Sequence, residues 1–572
     1  MSYFLKKTQR KYGLYLQIYE TVYNHETKSS SNRCFKSLGN VESLVSDEIK
    51  DPIAYYKEYI NELNMKLKLE KESNKIKKID ESPEKYLGHF IAKAIFDKLD
   101  VEEYFTYLQS SRNFQFSVYN LFTSLVYSRL VLPCSKYKTY TEVLPKLFKT
   151  NNKKFSIDQL YDGLDFIGNE YEKVIEILNK SLEKVYKTNT ETTYFDCTNF
   201  YFEIDKEDNF RRKGPSKENR KDPIVGIGLL LDANQIPLGM KMYPGNQSEQ
   251  PVLREIISSL KSKNNIKGRT IQVADKGLNS ARNIYEALIN KDGYLFSKSV
   301  KKLPDIEKTW VLLDNDYSVV YNEYGEPLYK TKSFVDHYEY SYTHDKKKVK
   351  FKSREKRIVT YNFSLARKQR AEINRMVDKA RILARSKAKK SEFGESAKYI
   401  SFQSEDKNGK LTDDKIVHTL NEDAINKDLE LAGYNLIVTS EYKMKDEEIY
   451  STYRNLWKIE ESFRIMKGQL DTRPVYLQKE STINAHFLVC YTSILMLRLI
   501  QYQLLDNEVC ASKISEFMHK FRVVEDSNRN YINLLTKDEI VDIIAKRFNI
   551  PIDNFYLTKT ALKKVLNLTI KH

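Results

Sequence analysis

The sequence contains few cysteines, the residues that form disulfide bonds and bind structural metal ions. It contains only five cysteines in 572 residues, and none of them forms a CxxC pair. The cysteines are Cys34, Cys134, Cys197, Cys490 and Cys510. An odd, dispersed set of this kind argues against a disulfide framework and against a zinc site.

Nucleotide-binding signatures are missing as well. No P-loop GxxxxGK[ST] occurs anywhere in the chain. Gly226 and Gly228 form a lone GxG inside a strand-like stretch, without the third glycine or the helix that a dinucleotide site needs. The sequence therefore does not favour an ATP-driven or nicotinamide-dependent enzyme.

Long apolar runs are also absent. The longest, 487–497, lies between His486 and Arg498 and is too short to span a bilayer. The first residues, MSYFLKKTQRKYG, lack the charged-then-apolar order of a signal peptide. With 41% apolar residues, the composition predicts a soluble, multi-domain protein of a reducing cytoplasm.

Positive charge is abundant and concentrated. Residues 346–390 hold 18 Lys and Arg against three acids, a surplus of 15 in a chain whose net charge is +17. Such a block is typical of a protein with a polyanionic partner. For its second half, 375–390, a solvated lysine-rich helix is an equal alternative. The candidate DNA contacts in its first half are Lys346, Lys347, Lys348, Arg354 and Arg357.

Hydrophobic periodicity divides the chain into seven segments. Arg129, Lys136 and Lys138 lie beside a break at Pro133 in the helical block, which is the candidate DNA-binding domain, although such blocks are more often packed bundles. The predicted segments are a small β meander (1–45), a charged linker, extended or helical (46–86), the helical block (87–190), an α/β domain (191–300), a basic β-rich insertion with a helix (301–432), the second part of the α/β domain (433–500) and C-terminal helices (501–572).

Three carboxylates stand at the points where a metal-dependent α/β enzyme would carry them. Asp196 lies in the middle of a strand-like run, TTYFDCTNFYF, where an unpartnered acid would be costly. Asp275 ends a short strand, and Glu460 lies on a helix that follows the strand YNLIVT. Convergence of the three at one sheet edge would suit two-metal phosphoryl transfer. Asp232 is a rival carboxylate, but its turn-rich surroundings indicate a loop role.

The helix that carries Glu460 shows a further pattern. The run IYSTYRNLWKIEESFRIMKGQLDTRPVY has no Gly or Pro before Gly468, which predicts about five continuous turns from residue 450. Tyr453, Glu460 and Lys467 recur every seven residues and so stack along one face. An amphipathic surface helix is the plain alternative.

The segments around Asp196, Asp275 and Glu460 together resemble bacterial insertion-sequence DDE transposases with a YREK-type signature, an IS-four-like superfamily. The resemblance covers about residues 190–500 and implies an α/β, RNase H-like mixed five-stranded sheet. That sheet would be interrupted by a β-rich insertion and preceded by a helical N-terminal region. The separation of 185 positions between Asp275 and Glu460 leaves room for such an insertion.

The resemblance also implies roles for individual residues. Asp196, Asp275 and Glu460 would be the catalytic and metal-binding residues, with Mg²⁺ as cofactor and Mn²⁺ as a possible substitute. Tyr453 and Lys467 would contact the phosphate backbone of the element's end. The signature arginine falls at Leu456, where this chain departs from the pattern. Arg464, one turn beyond Glu460, is our hypothesis for its replacement.

The expected function is a DNA transposase that cuts its element's ends by metal-dependent hydrolysis and joins the 3′-hydroxyls to target DNA. Its partners would be double-stranded DNA, both terminal inverted repeats and target, and a second copy of itself in the DNA complex, with no membrane. Two alternatives stay open: an RNase H-like nuclease without strand transfer, and a domesticated, non-catalytic DNA-binding protein. A generic RNA-binding protein is disfavoured because no RNP-type aromatic motif is present.

Overall fold

A computed structural model describes residues 2–24, 29–46, 48–75, 82–148, 155–218, 220–263, 265–385, 390–405, 411–526 and 530–570. Lys387 and Lys389 of the basic stretch lie outside the described residues. The chain forms two compact units, Met1–Pro83 and Glu84–His572, which are described one at a time.

The first unit combines a three-stranded antiparallel sheet with one helix. Its elements are β1 (Ser2–Arg10), β2 (Gly13–Asn24), β3 (Ser29–Asn40) and α1 (Pro52–Lys75). Alternation along β2 buries Leu16 and Ile18, and Ile60 of the helix is buried with them. The predicted β meander is therefore present, and the predicted charged linker contains a helix.

The second unit begins with the helical block. Its elements are β4 (Glu84–Tyr86), α2 (Phe90–Leu99), α3 (Glu102–Gln109), α4 (Val118–Val131), α5 (Lys136–Lys138), α6 (Ile157–Asn169) and α7 (Tyr171–Leu182). Ser117 caps α4, and Ser156 with Gln159 forms the predicted capping box at the start of α6. The helical periodicity of this stretch is thus confirmed.

A large mixed sheet follows. Its first elements are β5 (Thr192–Tyr201), β6 (Ile224–Leu231), β7 (Pro237–Pro244), α8 (Gln250–Ser262), β8 (Ile271–Ala274), α9 (Ala281–Ile289) and β9 (Gly293–Lys298). β5, β6 and β7 are antiparallel neighbours, whereas β5, β8 and β9 run parallel. Gly226 and Gly228 serve packing here, because a Cβ would meet the Tyr243 ring at 2.1 Å and the Phe195 ring at 2.7 Å.

The region predicted as an insertion contributes strands to this same sheet. Its elements are α10 (Asp305–Leu312), β10 (Ser318–Tyr321), β11 (Pro327–His344), β12 (Lys347–Asn362), α11 (Phe363–Arg385), α12 (Lys390–Phe393), β13 (Ile400–Glu405), β14 (Leu411–Leu420) and α13 (Glu422–Glu430), followed by β15 (Tyr434–Thr439). Among the described residues the sheet has nine strands in the order β10-β11-β12-β15-β9-β8-β5-β6-β7. The expected mixed α/β class is confirmed, with four strands beyond the five expected.

The last part of the chain is mostly helical, and its first three helices pack on the sheet. Its elements are α14 (Asp446–Arg454), α15 (Trp457–Lys467), α16 (Glu480–Arg498), α17 (Ala511–Lys520), β16 (Arg522–Glu525), β17 (Tyr531–Asn533), α18 (Glu539–Phe548), β18 (Tyr556–Leu557) and α19 (Lys559–Leu566). Within the described residues, one helical stretch, Glu480–Leu504, is long and apolar enough to cross a membrane, but 94% of its apolar window is buried inside the protein. It packs against α4, α6, α15 and α17 as a core helix, consistent with a soluble protein.

Candidate active site

Two parallel neighbouring strands place Asp196 and Asp275 side by side. The pairing of β5 with β8 ends at Phe195 opposite Ala274, so the two aspartates are the next residues in the same register. Adjacent strands lie about 4.8 Å apart, which brings the two carboxylates into one electrostatic neighbourhood. The structure thus brings together two of the three predicted metal ligands.

Asp275 is held by hydroxyl groups from two further elements. Ser297 on β9 donates a hydrogen bond to its Oδ1 at 2.9 Å, and Tyr453 on α14 donates to the same oxygen at 3.3 Å. Both bonds leave the second carboxylate oxygen of Asp275 available to another partner. Tyr453 therefore contacts a predicted catalytic carboxylate directly.

The predicted five-turn helix is two helices, and this expectation is corrected. α14 begins at Asp446, ahead of the predicted start, and α15 begins at Trp457. Between them the amide of Leu456 donates to the carbonyl of Tyr453, an i−3 bond that tightens the chain into a turn. Leu456, the position of the signature arginine, is buried at this turn. The break lets α14 pack on β8 and β9 while α15 packs on β5.

Two contacts set the alignment of α15 along β5. The Tyr194 side chain is hydrogen-bonded to Asn455 just before the helix, and the Lys467 ammonium lies 5.4 Å from the centre of the Phe200 ring near its end. Because side chains alternate along a strand, both strand residues lie on the face that carries Asp196. They are six residues apart, about 20 Å along the strand, and their partners are twelve apart, about 18 Å along the helix.

This alignment brings Asp196 and Glu460 to the same level. Asp196 lies about 7 Å along the strand from the first contact, and Glu460 lies about 7.5 Å along the helix from it. Glu460 is exposed, and its carboxylate makes no hydrogen bond or ion pair to a described residue. Throughout the described part of the chain, no three His, Cys, Asp or Glu side chains converge closely enough to hold a metal ion. In this conformation the third carboxylate has not joined the aspartate pair.

Two site residues escaped the sequence analysis. The ammonium of Lys217, in the β5–β6 connection, lies 3.7 Å from Asp196 and 3.9 Å from the carboxylate of Glu249, the residue before α8. Burial raises the pKa of Asp196 to about 6; Lys217 opposes this rise, and Glu249 and Asp275 add to it. The only sequence signal for Glu249 was a carboxylate directly between a strand and a helix.

The charge around Asp196 tests whether a hard cation suits the site. Three carboxylates share the neighbourhood of one ammonium, so negative charge exceeds positive charge there by two. Carboxylate oxygens are the protein ligands that Mg²⁺ and Mn²⁺ prefer. The donor set therefore fits a divalent cation, and Lys217 supplies the positive charge in the metal-free protein.

The remaining predicted DNA contacts of α15 are Lys467, which lies beside the site, and Arg464, which faces solvent. Lys467 forms an ion pair with Glu218 at 3.0 Å, and partial burial lowers the pKa of its ammonium even though Glu218 opposes that shift. Arg464 is exposed on the same face as Glu460, and its guanidinium makes no hydrogen bond or ion pair to the part of the chain that the structure describes. Its proposed role in place of the signature arginine stays a prediction.

The predicted DNA contacts of the insertion lie along the β11–β12 hairpin. Lys346, with Asp345, forms its two-residue turn at positive φ, and Lys347 and Lys348 follow as exposed residues. Arg354 is exposed and its guanidinium lies 4.3 Å from the centre of the Tyr442 ring. These side chains remain available to a partner.

Arg357 behaves differently from the rest of that set. Only 4% of its side chain is exposed, and its guanidinium donates to Glu355 at 2.9 Å and to Glu307 at 2.6 Å. Tyr294 and Tyr340 each donate to the second oxygen of Glu355 at 2.7 Å. This buried network gives Arg357 a structural role and removes it from the surface that DNA could reach.

The cations of the helical block are also internal in part. Arg129 is buried and donates to the carbonyl of Leu470 at 3.2 Å. Burial lowers the pKa of Lys136 to about 7, and its nitrogen lies 3.4 Å from His486. Lys138 is exposed. Only the last of the three singled-out cations therefore faces solvent.

Asp232, the rival carboxylate, is a turn residue. It accepts hydrogen bonds from the hydroxyl of Tyr186 at 2.5 Å and from the amides of Asn189, Asn234 and Ile236. Burial raises its pKa to about 6, and these hydrogen bonds limit the rise. Its oxygens are occupied by the fold, as its turn-rich surroundings indicated.

Comparisons with known proteins do not show a family for this chain. No protein-family model matches the chain, and no curated protein matches it significantly. The function is therefore inferred from the residues and their geometry.

Proposed function

We propose that this protein is a DNA transposase that cuts and joins phosphodiester bonds with divalent metal ions bound at Asp196, Asp275 and Glu460. The observation that carries the proposal is the neighbouring placement of Asp196 and Asp275, directly after the last paired residues of the parallel strands β5 and β8, where the helix that bears Glu460 packs on β5. In the active complex the Glu460 side chain would turn toward this pair.

The order of the five strands at one end of the sheet supports an RNase H-like catalytic domain. The order is β7-β6-β5-β8-β9, with the first three antiparallel and the last two parallel to β5. In this arrangement the central strand carries one catalytic aspartate and its parallel neighbour delivers the second. The antiparallel strands beyond β9 would then be an elaboration that extends the sheet.

Each protein group has a defined task in the proposed reaction. Asp196, Asp275 and Glu460 would hold the metal ions, which activate the attacking oxygen and neutralise the leaving oxygen. Tyr453 and Ser297 orient the Asp275 carboxylate through their hydrogen bonds to Oδ1.

The exposed lysines of the β11–β12 hairpin supply the expected polyanion contact. Lys348, Lys350 and Lys352 occupy every second position in the part of β12 that lies beyond its pairing with β15, and all three are exposed, with Lys352 in an ion pair with Glu339 at 2.9 Å. A two-stranded ribbon with a lysine on every second residue presents a row of charges about 7 Å apart, close to the spacing of successive phosphates in a nucleic-acid strand.

The decisive experiment separates a transposase from a nuclease. The purified protein is given Mg²⁺, DNA ends from the sequence flanking its own gene, already cleaved to expose the 3′-hydroxyl, and a supercoiled target. A transposase joins the two DNAs, and Glu460→Gln abolishes joining, whereas Glu448→Gln, on the exposed surface of α14, leaves it intact. Nicking of the ends without any joined product would establish the nuclease alternative. DNA binding without either reaction would establish the domesticated one.

A further inference from the structure

A single carboxylate, Glu218, binds two cations at the edge of the proposed active site. Its Oε1 accepts a hydrogen bond from the Lys467 ammonium at 3.0 Å, and its Oε2 accepts one from the Arg473 guanidinium. The side chains of the three residues are 28%, 18% and 26% exposed. The cluster is therefore partly sheltered and still reachable from solvent.

The strand that carries Asp196 fixes the two cations in place. The Lys467 ammonium lies 5.4 Å from the centre of the Phe200 ring, and the Arg473 guanidinium lies 5.4 Å from the centre of the Tyr201 ring. Aromatic faces attract cations and restrict their side chains. Both cations are thus positioned four or five residues beyond Asp196 on β5.

The segment that presents Glu218 is a built part of the fold. The Asn199 side chain donates to the carbonyl of Pro215 at 3.1 Å and accepts from the amide of Lys217 at 3.3 Å. Gly214 packs so closely that a Cβ would lie 2.0 Å from the carbonyl oxygen of Gly245. These contacts anchor the backbone directly before the charged pair Lys217 and Glu218.

A carboxylate that accepts a hydrogen bond from a lysine with one oxygen and from an arginine with the other resembles a phosphodiester bound to the same two residues. A phosphodiester also has one negative charge and two free oxygens, and Lys and Arg are the usual partners of both groups. From this geometry we infer that Lys467 and Arg473 form a subsite for one DNA phosphate and that Glu218 occupies it in the free protein. The inference rests on the proposed function for its ligand and adds Arg473 and Glu218 to the site.

The test uses the full chain, EDTA to exclude metal, and a fluorescent DNA duplex from the sequence flanking the gene. Glu218→Gln keeps the shape of the side chain and removes its charge. We expect it to tighten binding about fivefold, because the phosphate no longer competes with a carboxylate. Glu203→Gln, an exposed acid of the same connection, controls for the loss of one negative charge and should change affinity by less than about twofold.

A second variant keeps the inference testable if Glu218→Gln folds poorly. Arg473→Gln should weaken binding about tenfold, and Glu218→Gln should bring little gain in an Arg473→Gln background, because the subsite is already lost. Unchanged or weaker binding by Glu218→Gln, with its melting temperature intact, would mean that Glu218 is not a competitor and would overturn the inference.

The outcomes separate this inference from the proposed function. A wild-type protein that binds and joins DNA, with a Glu218→Gln variant that binds no tighter, refutes only the subsite. A wild-type protein that does not bind the duplex refutes both. Tighter binding by Glu218→Gln together with loss of binding by Arg473→Gln supports the subsite even if no joining occurs.

Discussion

The hydroxyl of Tyr453 lies 3.3 Å from Oδ1 of Asp275, although the two residues are 178 positions apart in the chain. The contact exists because α14 ends at Arg454, just beyond Tyr453, and the turn that follows frees α15 to pack on the neighbouring strand. A tyrosine that would otherwise be one more apolar residue of a long helix becomes a hydrogen-bond donor to a predicted metal ligand.

Removal of that hydroxyl should slow catalysis and leave the fold intact. A hydrogen bond to a charged group contributes about 1.5–3 kcal/mol, so Tyr453→Phe should lower Mg²⁺-dependent nicking by about 10- to 100-fold. Part of the loss should be recovered at higher Mg²⁺, because the change misorients a ligand. Tyr450→Phe is the matched control on the same helix, since the Tyr450 hydroxyl contacts Asn362 and no carboxylate. Equal effects of the two substitutions would argue against an orienting role.

In the absence of metal ions, the ionised Asp196 should lower the free energy of unfolding of the protein. Burial and neighbouring acids raise its pKa to about 6 in the folded state, while an ordinary aspartate titrates near 4. A carboxylate whose pKa is raised by folding lowers the free energy of unfolding above about pH 6, where it is ionised in the folded state. Below about pH 4 it is protonated in both states and does not change the free energy of unfolding. Asp196→Asn should therefore raise the free energy of unfolding by about 2 kcal/mol near pH 8, and the gain should vanish as the pH falls to about 4.

Mg²⁺ should reverse the order of stability of the wild type and Asp196→Asn. A ligand that binds only the folded state raises the melting temperature with concentration, so Mg²⁺ should stabilise the wild type and not Asp196→Asn. Melting curves at several pH values, with Mg²⁺ or EDTA, measure both effects. A variant that is less stable than the wild type at neutral pH in EDTA would show that Asp196 is a structural partner of Lys217 instead.

The hairpin lysines should set the salt dependence of DNA binding. Each lysine that neutralises a phosphate contributes about 0.9 to the slope of log affinity against log salt on duplex DNA. Substitution of Lys348, Lys350 and Lys352 by serine should therefore reduce the slope by about 2–3 and weaken binding at moderate salt. The number-matched control replaces the exposed Lys559, Lys563 and Lys564 of α19, outside the candidate DNA-binding block, and should leave the slope nearly unchanged. Equal slopes of log affinity against log salt for the two triple variants would show that the hairpin lysines do not contact the DNA.

Two arginines three residues apart on β12 should respond in opposite ways. Arg357→Ala leaves the buried Glu355 without its ion partner and should lower the free energy of unfolding by about 3–5 kcal/mol. Arg354→Ala, at an exposed position, should change stability by less than about 0.5 kcal/mol and weaken DNA binding instead. Denaturant unfolding and duplex binding of the pair measure both results. A stable Arg357→Ala variant with weakened binding would return Arg357 to the DNA-facing set.

Local patterns in the sequence predicted most elements of the fold. β-Branched and aromatic composition predicted β5, the Ser156-x-x-Gln159 spacing indicated the capping box of α6, and Asp196 and Asp275 were expected within and at the end of strands. These features succeed because each depends on residues within a few positions of one another. The β-branched and aromatic run TWVL at 309–312 is also typical of a strand, yet it forms the end of α10, which follows Pro304 and has acids in its first turn.

The parts that the sequence could not predict depend on distant pairing. Nothing local shows that β10–β12 extend the central sheet, because that contact is made through β15, far along the chain. The break at Leu456 contains no Gly or Pro and arises where packing on two different strands outweighs helix propensity. Lys217 and Glu249 become neighbours of Asp196 only when β5, the connection after it and α8 are assembled.

The central claim is that three carboxylates far apart in sequence bind a pair of metal ions. The most direct measurement is a crystal structure of the protein bound to an end DNA with Mn²⁺, in which anomalous scattering locates the metal independently of the protein density. The account predicts two peaks about 3.5–4 Å apart, bounded by Asp196, Asp275 and Glu460. Peaks that lie elsewhere, or a Glu460 that still faces solvent beside an empty aspartate pair, would contradict it.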